Sequence, residues 1–180
     1  MMETAEVKEL NPGTLRGRAE ELAQAVVREL IQKQYTLALA ESCTAGLVSD
    51  LAARISGASA ILWGSFVCYS ADAKQRMLGI DSAFLNEFGL VSGETARKMA
   101  VRALEISGVM IAAAVTGLAG PLGDGSDTPI GTVWIAIAAS AGQTESAAEP
   151  ICLHFTGTRA EIRIQAAIAV LEKIRETVNR

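Results

Sequence analysis

The sequence of 180 residues is poor in aromatic, cysteine and histidine side chains, and each shortage excludes a class of protein. Aromatic residues make up 4% of the chain and hydrophobic residues 50%, so the core has to be built from small and aliphatic side chains. Three widely spaced cysteines, Cys43, Cys68 and Cys152, argue against a disulfide framework and a zinc site. With His154 as the single histidine, a histidine metal site and a Ser-His-Asp triad are both disfavoured.

The chain also lacks an excess of basic residues and long hydrophobic runs. The net charge is -4 and the isoelectric point about 5.1, so we expect no nucleic-acid partner, because such binding depends on clustered Lys and Arg. The longest apolar stretch, near residues 131–141, is too short to span a bilayer, and the polar N-terminal residues show no signal-peptide core. A cytoplasmic protein without membrane contact is expected.

Helical and strand-like patterns alternate along most of the chain. Residues 1–13 are predicted to be a flexible tail and residues 14–180 a single domain. Alternation predicts parallel pairing through crossover helices, and two successive strands near the end add an antiparallel pair. We therefore predict an α/β fold with three layers, α/β/α, around a mixed, mostly parallel sheet. The pattern predicts helices at 14–34, 45–54, 71–78, 82–87, 92–107 and 159–178, and strands at 36–40, 61–69, 109–116, 131–139 and 144–155.

Three segments with polar or glycine residues follow predicted strands, at 41–46, 69–74 and 116–121. Ligands of open α/β sheets bind beyond the carboxyl ends of the strands. The three segments therefore predict one shared site at a single edge of the sheet.

Ser42, in the first segment, lies where a strand gives way to a helix. Backbone N–H groups at a helix N-terminus stabilise an oxyanion or a phosphate, which makes Ser42 a candidate nucleophile. The alternative is that Ser42 or Thr44 caps the helix, and this is the commoner use of such residues. Cys43 is interpreted as a small buried thiol.

The second segment combines Tyr69, at a strand end, with Lys74 about one helical turn later. Lysine acts as a general base when burial lowers its pKa, and tyrosine can relay a proton. Because histidine is scarce, pairing Lys74 with Ser42 is the most economical way to activate a serine here. The alternative is a solvated lysine and a half-buried tyrosine.

The third segment opens a Gly-rich loop, residues 117–131, which matches neither a Walker A loop nor a dinucleotide fingerprint. Its glycines allow backbone amides to approach a phosphate or carbonyl oxygen, and a flexible connection is an equal alternative. Arg159 and Arg163 follow one turn apart on the last predicted helix, a spacing that suits a phosphate clamp. The alternative is surface pairing with Glu161 or Glu172.

Together these motifs resemble those of the CinA C-terminal domain family. Residues 40–46, Ala-Glu-Ser-Cys-Thr-Ala-Gly, are similar to its Ala-Glu-Ser-Cys-Thr-Gly-Gly, and residues 69–74, Tyr-Ser-Ala-Asp-Ala-Lys, to its Tyr-Ser-Asn-x-x-Lys. Further similarities follow in the family's order at residues 91–94, 116–134 and 155–163. The resemblance covers about residues 22–171.

The resemblance implies a nicotinamide-nucleotide amidase, which converts nicotinamide mononucleotide and water to nicotinate mononucleotide and ammonia. It implies no metal or other cofactor, a small-molecule nucleotide as substrate, and a homodimer. Carried over by position, Ser42 is the nucleophile, Lys74 the base and Tyr69 its assistant. The hypothesis that follows from the residues is that helix N–H groups near Thr44 and Ala45 hold the oxyanion. The substrate-binding residues that it implies are Thr44, Ala45, Gly46, Thr116, Gly117, Ala119, Gly120 and Arg159.

Two positions depart from the family's motifs. Ala45 replaces a glycine and adds a methyl group, and Ala71 replaces an asparagine and removes an amide. Two other functions stay open: a catalytically silent nucleotide-binding module, in which Lys74 is charged and distant from Ser42, and a serine amidase for another small amide.

Overall fold

The computed structural model describes residues 12–141, 144–147 and 149–179. The predicted flexible tail lies outside these residues, except for Pro12 and Gly13, which begin the first helix. Proline suits that position because the first N–H groups of a helix have no intrahelical acceptor. In chain order the elements are α1 (Pro12–Lys33), β1 (Leu37–Glu41), α2 (Leu47–Ala53), β2 (Leu62–Val67), α3 (Ala71–Leu78), α4 (Ser82–Phe88), α5 (Gly93–Ser107), β3 (Ile111–Gly117), β4 (Thr132–Ala141), β5 (Thr144–Ala147), β6 (Ile151–His154) and α6 (Arg159–Val178).

The strands form one mixed sheet, in the order β2-β1-β3-β4-β5, with β6 also paired to β4. The predicted mixed α/β sheet is confirmed. Parallel pairing is confined to β1 and its neighbours β2 and β3, whereas β4 pairs antiparallel with β3, β5 and β6. Parallel pairs therefore account for two of the five pairings among the described residues, because the strand predicted at 144–155 forms two short strands that both pair with β4.

Helices cover both faces of the sheet, which gives the predicted three layers. Helices α1, α2 and α6 pack on a face built from larger aliphatic residues of β1, β3 and β4, such as Leu39, Val115 and Ile137. Helices α3, α4 and α5 pack on the opposite face, where the same strands contribute alanines. Side chains alternate between the faces of a strand, so the short alanines let α5 lie close to the backbone. These alanines are Ala38, Ala40, Ala112, Ala114, Ala136 and Ala138.

The fold gathers several chain segments at one edge of the sheet. Parallel strands β1, β2 and β3 all end there. The antiparallel strand β4 begins there, and β6 ends there beside it, immediately before α6 starts. The three segments that follow the parallel strands therefore share this edge, as their positions in the sequence predict. Within the described residues, no helix is both long and apolar enough to cross a bilayer.

Candidate active site

Ser42 and Lys74 are in direct contact at this edge, although 32 positions separate them in the chain. The Nζ atom of Lys74 lies 2.9 Å from Oγ of Ser42 and 2.9 Å from the carbonyl oxygen of Cys68. Ser42 directly follows β1, and Lys74 lies in the first turns of α3, which begins soon after the neighbouring strand β2. The hydroxyl of Ser70 accepts a hydrogen bond from the Ala73 amide and caps α3. The adjacent parallel strands thus bring the hydroxyl and the amine together.

Lys74 is buried, with a relative exposure of 1%. Burial lowers the pKa of its amine, because a charged ammonium loses hydration in the interior. The nearby thiols of Cys68 and Cys43 oppose this shift without reversing it. Among the described residues, the hydrogen-bond partners of Nζ are a hydroxyl and a carbonyl, and no carboxylate pairs with it. A neutral amine in this position can donate to the carbonyl and accept the proton of Ser42.

The neighbouring thiols are poor nucleophiles. Burial raises the pKa of Cys43 to about 11 and also raises the pKa of Cys68. Because the thiolate is the reactive form of cysteine, both side chains are unreactive near neutral pH. Both are free and buried, so the interpretation of Cys43 as a small buried thiol is confirmed.

Glu41, the last residue of β1, is fully buried and was assigned no role from the sequence. Its carboxylate reaches over the turn after β1 and accepts hydrogen bonds from the N-terminus of α2. A carboxylate at a helix N-terminus satisfies free N–H groups and complements the helix dipole. A charged residue at the end of an otherwise apolar buried strand was the signal that sequence reasoning passed over. The donors to Glu41 are Oγ1 of Thr44 and the amides of Gly46 and Val48 on Oε2, and the Ser49 amide and Oγ of Ser65 on Oε1, at 2.8–3.2 Å.

The alternative that Ser42 or Thr44 caps α2 is wrong. Gly46 occupies the N-cap position, and its φ of 90° follows a φ of 50° at Ala45, so α2 begins at Leu47 instead of residue 45. The hydroxyl of Thr44 donates to Glu41, and that of Ser42 contacts Lys74. The cap is therefore supplied by a glutamate that precedes the turn, a longer-range arrangement than a Ser or Thr cap.

This capping changes which amides are available to an oxyanion. The Ala45 amide donates to the carbonyl of Ser42, and the Leu47 amide donates to that of Thr44. The amides of Gly46, Val48 and Ser49 donate to Glu41. The Ala45 amide was predicted to donate to the oxyanion, but it already donates to the Ser42 carbonyl within the turn. Within the described part of the chain, the Cys43 and Thr44 amides are the ones in this turn that donate to no oxygen atom.

The two arginines of α6 point at the site and not at surface acids. Arg159 donates to the Gly120 carbonyl at 2.7 Å and to the Tyr69 hydroxyl at 2.5 Å. Arg163 donates to the carbonyl oxygens of the turn that follows Ser42. The alternative of surface pairing is wrong, because Glu161 forms the capping box at the start of α6 and Glu172 pairs with Arg18 of α1.

The remaining predicted residues lie at varied depths. Tyr69 is 53% exposed and, among the described residues, its hydroxyl contacts Arg159 and not Lys74. Thr116 is fully buried, and its hydroxyl donates to the carbonyl of Leu90 at 2.7 Å. Gly117 packs so closely that a Cβ atom would lie 2.6 Å from a backbone oxygen of β4, while Ala119 and Gly120 are buried beside it. In the structure, Ser42 thus contacts Lys74, and Tyr69 contacts Arg159. The Thr116 hydroxyl is instead bonded to a backbone carbonyl in the interior.

Ala45 carries backbone strain that a glycine would relieve. A side chain in the left-handed region costs roughly 1–2 kcal/mol. We expect Ala45→Gly to raise the free energy of unfolding in urea by about 0.5–1 kcal/mol, after allowance for the freedom of glycine in the unfolded chain. Gln34→Gly is the matched control, since Gln34 has a φ of 58° at the far end of α1. Stabilisation at position 34 with destabilisation at 45 would show that the Ala45 methyl group makes favourable contacts.

Fold and site together define a three-layer α/β protein with a buried serine–lysine pair at the carboxyl edge of its parallel strands. Residues 19–178 match the family model of the CinA C-terminal domain, so the chain belongs to this family. Within the described residues, no three His, Cys, Asp or Glu side chains are grouped as metal ligands.

Two relatives differ in how much of their own length this chain covers. A CinA-like protein of Geobacter metallireducens is 42% identical over 159 residues, which cover 88% of this chain and 37% of that protein. The chain thus spans little more than a third of the length of such relatives. The nicotinamide-nucleotide amidohydrolase PncC of Enterobacter agglomerans is 36% identical over 155 residues, which cover 86% of this chain and 92% of that one.

Solved structures of the family have the same fold. The competence/damage inducible protein CihA of Agrobacterium tumefaciens superposes with a TM-score of 0.81 and 36% identity, over 91% of this chain and 97% of that one. A CinA superfamily protein of Escherichia coli superposes with a TM-score of 0.80 and 27% identity, over 94% and 99% of the two chains.

Proposed function

We propose that the protein is an amidohydrolase that deamidates nicotinamide mononucleotide to nicotinate mononucleotide and ammonia. The observation that carries the proposal is the 2.9 Å contact between the buried amine of Lys74 and the hydroxyl of Ser42. The name of the PncC relative, which covers most of both chains, supports the choice of substrate. A silent binding module has no need of a buried lysine whose pKa is lowered beside a serine.

Acylation begins with proton transfer from Ser42 to the neutral amine of Lys74. The Ser42 oxygen attacks the carboxamide carbon and forms a tetrahedral intermediate. In this proposal the Cys43 and Thr44 amides, which lie beside the Cys43 thiol, donate to its oxyanion, and one such donor is often worth about 2.7–4 kcal/mol. The ammonium of Lys74 then returns the proton to the leaving nitrogen, which departs as ammonia.

Deacylation repeats this sequence with water as the nucleophile. Lys74, neutral again, takes a proton from water as it attacks the ester, and the same proton returns to Ser42 as the nicotinate carboxylate leaves. The carbonyl of Cys68 holds Nζ in place during both steps through its 2.9 Å hydrogen bond. The burial that lowers the pKa of Lys74 supplies the neutral base that both steps require.

Arg159 is the residue that we assign to the phosphate of the nucleotide. Its guanidinium is held by Gly120 and Tyr69 and, within the described chain, pairs with no carboxylate. A fixed and uncompensated guanidinium suits a phosphate, because its planar fork matches the phosphate oxygens. In this proposal Tyr69 orients Arg159, and its own hydroxyl proton is free to meet the substrate.

The substrate is tested by comparing ammonia release from nicotinamide mononucleotide, nicotinamide and glutamine with the purified protein. We expect turnover with the nucleotide and little with nicotinamide, because nicotinamide lacks the phosphate. Equal turnover of nicotinamide would favour a serine amidase for other small amides. Binding of the nucleotide without ammonia release would favour the silent module. The homodimer, the cytoplasmic location and the single domain stay predictions.

A further inference from the structure

Arg163 reaches from α6 to the turn that carries the nucleophile. Its Nε donates to the carbonyl oxygen of Cys43 at 3.2 Å, and its NH2 group donates to that of Thr44 at 2.5 Å. In the part of the chain that the structure describes, no carboxylate pairs with this guanidinium. The planar fork of arginine thus bridges two consecutive peptide groups, 119 and 120 positions away in the chain.

Fixing these carbonyls also fixes the amides bonded to them. A trans peptide group is planar, and its C=O and N–H point in opposite directions. The hydrogen bond from Arg163 to the Cys43 carbonyl therefore directs the Thr44 amide away from α6. The hydrogen bond from Arg163 to the Thr44 carbonyl fixes the direction of the Ala45 amide, which donates to the carbonyl of Ser42 at 3.0 Å.

The turn is held from both sides. Glu41 accepts hydrogen bonds from the Gly46 and Val48 amides on the helical side of the turn. Arg163 donates to the two carbonyls that precede them, and the Thr44 carbonyl also accepts from the Leu47 amide at 3.2 Å. The Ser42 amide is fixed separately, because it donates to the carbonyl of Val115 in β3. A nucleophile held by rigid supports keeps its attack geometry, and a displacement of 1 Å can lower a rate about 100-fold.

We propose that Arg163 is a positioning residue for Ser42 and for the Thr44 amide, acting through the carbonyls of the turn. This inference rests on the proposed function. Arg163 does not touch the reacting atoms, so its loss should slow catalysis and leave substrate binding nearly unchanged. Arg159, in contrast, is assigned to the substrate itself, and its loss should raise KM.

The test compares kcat and KM for nicotinamide mononucleotide in wild type, Arg163→Ala and Arg163→Lys. For Arg163→Ala we expect kcat to fall about 100-fold with KM within about threefold of wild type. Arg163→Lys should recover little, because one ammonium cannot bridge both carbonyls in the same geometry. Low millimolar guanidinium chloride should partly restore kcat in Arg163→Ala and leave wild type unaffected.

Arg175→Ala is the matched control on the same helix. Arg175 ties α6 to α1 through Glu29, far along the helix from the turn. Its loss should lower the melting temperature slightly and leave kcat unchanged. Arg163→Ala that keeps kcat within about twofold of wild type, or that changes KM alone, would overturn the positioning role. Full kcat in Arg163→Lys, together with no effect of guanidinium chloride on kcat of Arg163→Ala, would overturn the positioning role as well.

A second readout separates this proposal from the choice of substrate. The Ser42 oxygen can displace fluoride from a small fluorophosphonate, forming a P–O bond while its proton passes to Lys74. The labelling rate at Ser42, followed by intact mass, should fall in Arg163→Ala and stay unchanged in Arg175→Ala. Wild type that labels at Ser42 without releasing ammonia would refute the substrate alone, and equal labelling rates in wild type and Arg163→Ala would refute the role of Arg163.

Discussion

Lys74→Met should lower ammonia release from nicotinamide mononucleotide by at least about 1,000-fold without loss of stability. Methionine fills a similar volume and cannot accept a proton from Ser42. The wild-type protein buries an amine that has a hydroxyl and a carbonyl as its partners, so replacing it with an apolar side chain removes a desolvation cost. Steady-state assays and urea unfolding at pH 7 measure the two effects.

The lowered pKa of Lys74 also predicts how both quantities vary with pH. Activity in wild type should rise as pH increases through this pKa, because the proposed base is the neutral amine. Between this pKa and the ordinary value of 10.5, the unfolded chain binds more protons than the folded one. Wild-type stability should therefore gain with increasing pH in that window, and Lys74→Met should lose this contribution.

The control for Lys74→Met is Lys98→Met, on α5, where the amine lies over the ring of Phe84. Its kcat should match that of wild type, because Lys98 belongs to no part of the site. Substantial turnover in folded Lys74→Met would show that another group accepts the proton of Ser42.

Glu41→Gln should lower the free energy of unfolding by about 3 kcal/mol, because a buried acceptor is replaced by a donor. The new NH2 group faces the Ser49 amide if it takes the place of Oε1, and the amides of Gly46 and Val48 if it takes the place of Oε2. In a protein of this size, the change corresponds to a fall in melting temperature of roughly 6–12 °C.

Glu161→Gln makes the same chemical change at the exposed capping box of α6 and should have a much smaller effect. Melting followed by circular dichroism measures both variants. A fall of less than about 2 °C for Glu41→Gln would mean that the turn does not depend on this carboxylate.

Local patterns in the sequence were sufficient for most elements of the fold. Helix α3 has the predicted bounds, since Ser70 caps it and Gly79 ends it, and both signals lie next to the helix. The shared edge followed from the alternation of strands and helices, which predicts parallel strands whose carboxyl ends lie at one edge. The start of α2 was misplaced because Ala45, a residue that favours helices, is held in the left-handed region by the turn.

The supports of the site were less accessible to sequence reasoning. Glu41 caps α2 from the far side of a turn, whereas capping rules look at the residue next to the helix. Arg163 binds backbone oxygens from a distant helix. Because every residue has a backbone oxygen, the sequence pattern does not indicate which of them Arg163 contacts. The pairing of Ser42 with Lys74 was predicted because histidine is scarce and because both residues lie in segments that follow strands at one edge of the sheet.

In the proposed mechanism the Ser42 oxygen attacks the carboxamide carbon. The most direct measurement is ammonia release from nicotinamide mononucleotide by Ser42→Ala, beside wild type and at matched concentration. We predict that Ser42→Ala folds with an unchanged circular dichroism spectrum and releases ammonia at the rate of the buffer alone. Turnover by Ser42→Ala comparable to that of wild type would mean that Ser42 is not the nucleophile.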